Sequence, residues 1–430
     1  MGSEITSPAW RLRWLNQDGK KLLLSRALRS FGYGYLPVVL AVFLERLGLN
    51  PVHVGVVLAA AVAGSAVMTI FWSFVADRYG RRRTVATMAL LMVAGGLLFA
   101  ASDTFWLLIL GAFTGTISAT NSEVGAFSTV EQAVLPQTVG PERRTWAYSL
   151  YEMIGNFASA AGALSATAIA VIGAIGLSGA DVYRPFFVLY ALLGLANLFL
   201  FLTLSEKVEL ARVQGERQLT GIRESRGMVA RLSVLFGLDA FAGGFIVQSL
   251  VAYWFYLRWG LSPEALALVF FWVGVLTGLS FLAAGWLAQR IGLLNTMVFT
   301  HLPSNVLLLL VPLMPTAWLA VLVFLVRMSI SQMDVPTRKS YTMAVVEPDE
   351  RTATAGITNV ARSIGATLSP TLSGVAFSMA ALGVPFFIAG GLKIAYDLVI
   401  YRTFKDVRPP EEAARRTISG VVQPTASNLE

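Results

Sequence analysis

The 430-residue chain has no cysteine, only two histidines, and little charge: Asp, Glu, Lys and Arg together make up 13%. Without cysteine there is no disulfide, no thiolate nucleophile and no thiolate metal site. With histidine only at His53 and His301, neither a familiar metal-ligand spacing nor a nucleophilic triad can be assembled, and no cofactor is expected. No phosphate-cradling P-loop occurs, so the chain is not expected to be an ATPase. A soluble domain carries about 25% charged residues. Here the deficit recurs along the whole length while hydrophobic residues reach 56%, which predicts an all-α polytopic membrane protein. The net charge of +8 would suggest nucleic acid in a soluble protein. In a membrane protein it reads as inside-facing loops biased to Lys and Arg, so no nucleic-acid partner is expected.

Apolar runs predict twelve transmembrane helices, at about 22–46, 52–76, 84–101, 105–135, 144–174, 183–204, 230–257, 264–288, 294–313, 317–346, 352–381 and 384–403. These divide into a six-helix bundle over 1–204, a polar linker over 205–228, a second bundle over 229–403 and a tail over 404–430. Trp10 to Trp14 reads as a short interfacial helix. The Arg-rich connections (Arg78 to Arg83, Arg143-Arg144, Lys207 to Arg231, Arg290, Arg351) fall on one side, which places both termini in the cytoplasm.

The two bundles repeat. A shift of 212 carries Arg46, Gly48, Leu49 and Pro51 onto Arg258, Gly260, Leu261 and Pro263, and Ala76, Arg78, Gly80 and Thr84 onto Ala288, Arg290, Gly292 and Thr296. Further on, a shift of 207 carries Pro141, Arg144 and Thr145 onto Pro348, Arg351 and Thr352. Two pseudo-symmetric halves with the substrate at their interface is the architecture such repeats imply. Small residues at Gly274 and Gly278, and through Gly155 to Gly162, predict close helix contacts.

One connection stands out. Ser73-Phe-Val-Ala-Asp77-Arg78-Tyr-Gly80-Arg81-Arg82-Arg83 packs an acid, a glycine and four arginines between two apolar runs. Gly80 permits a turn with positive φ, and the arginines cannot enter hydrocarbon. The pattern resembles G-x-x-x-D-R-x-G-R-R, the signature loop of the major facilitator superfamily, at Asp77, Arg78, Gly80, Arg81 and Arg82. It departs at Ser73, where the family usually has Gly. The second copy keeps the opening glycine, Gly285, and has Gln289 in place of Asp77. By resemblance the loop is a cytoplasmic gate, with Asp77 facing the start of span eleven near Arg351, and spans one, four, seven and ten line a central cavity.

Charges inside apolar spans cost about 2.5–3.5 kcal/mol each on insertion scales, and so mark function. Arg26, Arg29, Glu123, Glu131, Glu152, Asp239, Arg327, Asp334, Arg338, Lys339 and Arg362 are such charges. Arg327, Ser331, Asp334 and Arg338 form one polar stripe on span ten, and Thr116, Thr120, Glu123 and Glu131 a looser one on span four. The shift of 207 equates Glu131 with Arg338, so these two are expected to face each other across the cavity. The shift of 212 takes Asp239 to Ala27, beside Arg26, which predicts an Arg26–Asp239 pair. Blander readings stand beside these. Asp334 and Arg338 neutralise each other on one helix, Glu131 partners a signature-loop arginine, Arg26 snorkels, and Arg362 packs against span two. His301 reads as a lone structural histidine.

The resemblance implies a secondary transporter of a small molecule, working by alternating access as a monomer among membrane lipids. Arg29, Glu123, Glu131, Glu152, Asp239, Asp334, Arg338 and Arg362 are the candidates for substrate and proton coupling. The first expectation is proton-coupled efflux of lipophilic or cationic compounds across a bacterial inner membrane. Tyr253-Trp254-Phe255-Tyr256 and Phe270-Phe271-Trp272 support it, although the same rings suit helix packing. Against it, Ala163 follows Gly162 where antiporters of the family carry Gly-Pro. The alternative is an organic anion bound by Arg29, Arg338 and Lys339. A non-transporting sensor ranks below both.

Overall fold

A computed structural model describes residues 15–120, 126–139, 144–209, 225–347 and 350–407. The stretch from Trp10 to Trp14, Glu123 and the tail beyond 407 lie outside the described residues, as do the side chains of Asp77, Arg78 and Arg351.

Among the described residues there are sixteen α-helices: α1 (Gln17–Arg46), α2 (Pro51–Tyr79), α3 (Arg81–Ala101), α4 (Phe105–Phe113), α5 (Ala126–Val134), α6 (Arg144–Ser165), α7 (Ala168–Ala174), α8 (Arg184–Leu202), α9 (Arg226–Gly244), α10 (Gln248–Trp259), α11 (Pro263–Ile291), α12 (Leu293–Leu310), α13 (Ala317–Ser331), α14 (Asp334–Ala344), α15 (Arg351–Ser378) and α16 (Val384–Phe404). They make twelve crossings, because spans four, five, seven and ten are each built from two helices in line. Ten described segments are apolar enough over sufficient length to cross a membrane. The two crossings outside that set are the broken α4–α5 run and α15, which carries Arg362 and many Ser and Thr residues.

The repeat is visible in the backbone. Gly48, Gly80, Gly260 and Gly292 have φ of 86°, 103°, 63° and 91°, so the turns related by the 212-residue shift use the same left-handed geometry. Close helix contacts fall where small residues stand. A β-carbon on Gly162 would lie 1.9 Å from Phe31 O, and one on Gly34 would lie 2.0 Å from Ser159 O, which seats α6 against α1. In the second half Ser369 and Ser373 donate to Phe241 O and Phe245 O at 2.5 and 2.9 Å, seating α15 against α9. A β-carbon on Gly274 would be 3.1 Å from Ala160 Cβ, whereas one on Gly278 would meet nothing within 4 Å.

The apolar core differs between the two ends. At the end away from the signature loop, one cluster joins both halves: Tyr35 to Leu44, Val54 to Leu58, Phe99 and Phe187 pack in it with Val251 to Phe255, Phe270, Phe324 and Phe386. Gly55 and Gly374 bring α2 and α15 together there, for a β-carbon on either would lie 2.6 Å from Pro370 O or 2.3 Å from Pro51 O. At the signature-loop end the clusters are separate. Trp72, Phe127 and Phe201 belong to one half, as does the group around Leu23, Leu135 and Tyr151, while Leu232, Tyr341, Tyr396 and Phe404 belong to the other. The breaks in spans four and seven meet, with Ser249 N and Ser249 Oγ each donating to Ala119 O at 3.2 Å. Non-helical backbone is tolerated at membrane depth only where such partners satisfy it.

Candidate functional site

Two buried charge clusters lie inside the bundles, one in each half. In the first, α1 presents Arg29 and α5 presents Glu131, both fully buried. The guanidinium donates to both carboxylate oxygens, Nη1 to Oε1 at 2.9 Å and Nη2 to Oε2 at 2.5 Å. Tyr151 Oη on α6 donates to Oε2 at 2.7 Å, and Ser25 Oγ lies 3.2 Å from Oε1. Asn197 Oδ1 on α8 accepts from Ser25 Oγ at 2.6 Å and from Arg29 Nη1 at 3.3 Å. The Arg29 guanidinium lies 4.4 Å above the Phe127 ring, a cation–π contact. Beside this cluster Arg26 pairs with the exposed Glu152 at 3.1 Å and lies over the Tyr151 ring; Gly155 leaves the room, since a β-carbon there would be 2.5 Å from Arg26 Nε.

In the second half the arrangement is unequal. Asp239 on α9 accepts from three cations: Lys393 Nζ at 2.5 Å, Arg338 Nη1 at 3.1 Å and Arg362 Nη1 at 3.1 Å. Arg338 also holds Asp334 one turn away at 2.8 Å, so the neutralising pair within span ten is formed. Arg327 is buried beneath them, its Nη1 3.1 Å from Met328 Sδ and its Nε without a hydrogen-bond partner. Among the described residues this centre gathers four cations, Arg327, Arg338, Arg362 and Lys393, near three carboxylates once Asp397, one turn from Lys393, is counted with Asp239 and Asp334, an excess of one positive charge. Arg362 is the most accessible of the four, at 31% side-chain exposure.

The clusters are related by the repeat. Gly162 and Ser369, equivalent under the shift of 207, contact Phe31 O and Phe241 O, so α1 and α9 superimpose with a shift of 210. That shift equates Arg29 with Asp239, while the shift of 207 equates Glu131 with Arg338. The same ion pair is therefore made twice with its polarity reversed.

This corrects two expected pairs. Glu131 does not face Arg338, because each is held by an opposite charge within its own half, and Arg26 pairs with Glu152 rather than Asp239. Arg362 reaches Asp239 instead of only packing on α2. The polar stripe on span ten survives its helix break, with Arg327, Ser331, Asp334 and Arg338 all buried. The looser stripe on span four does not form one helix face, for Thr116 and Thr120 lie in the break and only Glu131 is on α5. Lys339 is exposed on α14.

At the signature loop, Gly80 turns the chain and the freed amides of α3 meet a carboxylate. Arg81 N and Arg82 N donate to Glu209 Oε2 and Oε1 at 2.8 and 3.1 Å, an anion at a helix N-terminus. The aromatic runs are packing elements: Trp254 rests on Phe386 at 4.7 Å between centroids, Phe255 and Phe270 both meet Phe324, and Trp272 is turned outward. Sequence reasoning missed Tyr151, Asn197, Lys393 and Asp397. Lys393 and Asp397, one turn apart in an apolar run, are intramembrane charges like those singled out elsewhere. His301 is not alone, because its Nδ1 lies 2.7 Å from Asp397 Oδ1.

Comparisons with known proteins agree with this architecture. An uncharacterized membrane protein of Saccharomyces cerevisiae is 24% identical, over 92% of this chain and 96% of its own. A D-xylose–proton symporter of known structure superimposes with a TM-score of 0.71 at 16% identity, covering 89% of this chain and 97% of that one. The xylose transporter XylE from E. coli, in a partially occluded inward-open conformation, gives 0.68 at 17% identity over 92% and 99%. The sequence profile of the Major Facilitator Superfamily matches residues 22–370 and 249–426. With that profile covering well over half of its length, the protein belongs to the major facilitator superfamily, a family of membrane transporters rather than enzymes.

Proposed function

We propose that the chain is an alternating-access transporter of a small organic anion, with the charge cluster of the second half as its recognition site. The observation that carries this is the surplus of positive charge there: Arg338, Arg362 and Lys393 pair with only Asp239 and Asp334, and Arg327 is buried on the same span as Arg338. Cationic substrates need a carboxylate with free lone pairs. Glu131 is fully buried with both oxygens held, Oε1 by Arg29 and Oε2 by Arg29 and Tyr151, so it is closed to a cation in this conformation. Arg362 and the buried Arg327 supply donors that a carboxylate or phosphate accepts through charge-assisted hydrogen bonds. The efflux of cationic compounds expected from the aromatic runs loses that support, since those rings pack against one another.

The moving bodies are the bundles over 1–204 and 229–403, and the signature-loop end faces the cytoplasm, in keeping with the Arg-rich connections there. The shared apolar cluster at the opposite end and the separate clusters at the loop end then correspond to an inward-facing state. In the outward-facing state Asp77, Arg78, Gly80, Arg81 and Arg82 would close the cytoplasmic gate. Proton coupling is part of the reading, in line with the proton symporter among the matched structures.

Thermal unfolding of the purified protein with benzoate, phthalate and glycerol 3-phosphate, against tetraphenylphosphonium as the cation, tests this. A ligand at about 100 times its dissociation constant adds roughly 2.7 kcal/mol. Stabilisation by an anion, lost in Arg362→Gln and Arg327→Gln, is the expected result. Stabilisation by the cation alone, lost in Glu131→Gln, would return the reading to cation efflux.

A further inference from the structure

Where α12 meets α16, a second polar cluster lies outside the central charges. His301 Nδ1 is 2.7 Å from Asp397 Oδ1, Asn305 Nδ2 donates to Asp397 Oδ2 at 2.8 Å, and Asn305 Nδ2 is 3.2 Å from His301 Nδ1. Asp397 and Asn305 are fully buried and His301 nearly so.

The first half shows that the fold itself does not require these groups. Thr84 and Thr296 each donate to the carbonyl of their own turn glycine, at 2.9 and 2.8 Å, so α3 and α12 correspond under the shift of 212. That shift places Ala89 and Val93 where α12 carries His301 and Asn305. Pro185-Phe186-Phe187 opens α8 as Pro385-Phe386-Phe387 opens α16, and the shift of 200 equates Asn197 with Asp397. Two apolar side chains and an amide thus fill in one half what an imidazole, an amide and a carboxylate fill in the other. Burying an ionisable pair carries a desolvation penalty of several kcal/mol per ion, which a purely packing role would not retain.

The pair is wired to the centre through one residue. Lys393 stands one turn before Asp397 on α16 and donates to Asp239 Oδ1 at 2.5 Å. We propose that His301 and Asp397 together form a proton-binding site outside the central cavity, and that Lys393 passes its state to Asp239. With the proton bound, the imidazolium balances Asp397 and Lys393 serves Asp239 alone. With the proton gone, Asp397 faces a neutral imidazole and draws Lys393 toward itself, i to i+4 on the same helix. Asp239 is then left with Arg338 and Arg362, and holds Arg362 more tightly. A proton bound away from the substrate's path thereby resets the charge that the substrate meets, whatever the substrate is.

The groups around the pair are defined. On α16 they are Lys393 and Tyr396, whose ring meets His301 edge-on at 6.1 Å. Asp239 comes from α9; Asp334, Arg338 and Tyr341 from α14; Arg362 from α15; and Arg327 from α13. α11 holds its Arg290 over Trp286.

Because the chain has two histidines, His53→Asn leaves His301 as the sole imidazole. Full-length protein in lipid nanodiscs, labelled with 13C-histidine, then gives one imidazole resonance to follow from about pH 5 to 9. The expected result is a single proton step whose midpoint falls by about one unit or more in Asp397→Asn and rises in Lys393→Gln. Asp397→Asn introduces the amide already tolerated at Asn197. Lys393→Gln leaves Asp239 with two arginines, so both variants should fold. A midpoint unmoved by Lys393→Gln overturns the link to Asp239. A His301 resonance fixed in one form across the range, in the parent and in Asp397→Asn alike, overturns the proton site.

Discussion

At equivalent places in the two halves, Arg29 meets Glu131 and Asp239 meets Arg338, with the signs exchanged between the partners. The settings differ more than the pairs. Around Glu131 the hydrogen bonds close on themselves: a bidentate guanidinium and a phenol hold the carboxylate, and Asn197 Oδ1 accepts from Ser25 Oγ and Arg29 Nη1. Around Asp239 three cations share one carboxylate, and none of them is fully satisfied by it. A neutral, closed cluster is a structural joint. An over-neutralised one is the setting on which the proposed anion site rests.

That contrast can be broken most forcefully at Arg29. Arg29→Ala leaves Glu131 buried without a countercharge and should destabilise the protein by about 3–5 kcal/mol, read as a lowered thermal unfolding midpoint in detergent. Arg29→Met with Glu131→Leu removes both charges and should recover most of that loss. Next in size is the reversed pair. Since the other half already uses the opposite polarity, Arg29→Glu combined with Glu131→Arg should regain about 2 kcal/mol over the sum of the single variants. Strict additivity would show that polarity is fixed by the surroundings of the pair.

The second half should respond differently. Arg362→Gln removes a surplus cation, so unfolding should shift by no more than about 1 kcal/mol, while stabilisation by added anions disappears. The smallest comparison concerns the α1–α6 and α9–α15 contacts. Gly162→Ala forces a β-carbon onto Phe31 O and should cost about 1–3 kcal/mol, whereas Ser369→Ala loses one hydrogen bond to Phe241 O, about 1 kcal/mol. Equal losses would mean that the two contacts bear load alike.

Much of the fold was legible because membrane spans announce themselves as apolar runs, and Gly80 and Gly292 mark the same turn in both halves. The site was legible residue by residue but not pair by pair. A shift of 212, read from loops, put Asp239 opposite Ala27, whereas the helix contacts set the shift at 210 and put it opposite Arg29. Two residues on a helix are about 200° of rotation, enough to exchange a face for its opposite. His301 looked solitary because its partner is 96 residues away and the contact exists only once α16 packs on α12. The breaks in spans four and ten are marked only by Gly115, whose φ is 73°, and by Pro336 in the first turn of α14, single residues that also occur within unbroken membrane helices such as Pro37 in α1.

The apolar cluster that bridges the halves has a thermal consequence. In an alternating-access cycle that end must part and take up water, exposing the surfaces of Tyr35 to Leu44 and Val251 to Phe255. Hydrating apolar surface raises heat capacity, and the opposition to doing so weakens on cooling. The balance between the two states is therefore curved in temperature. Where that end exposes more apolar surface than the loop end covers on closing, chilling the protein draws it toward the conformation open there, and warming from the cold returns it to the one described here.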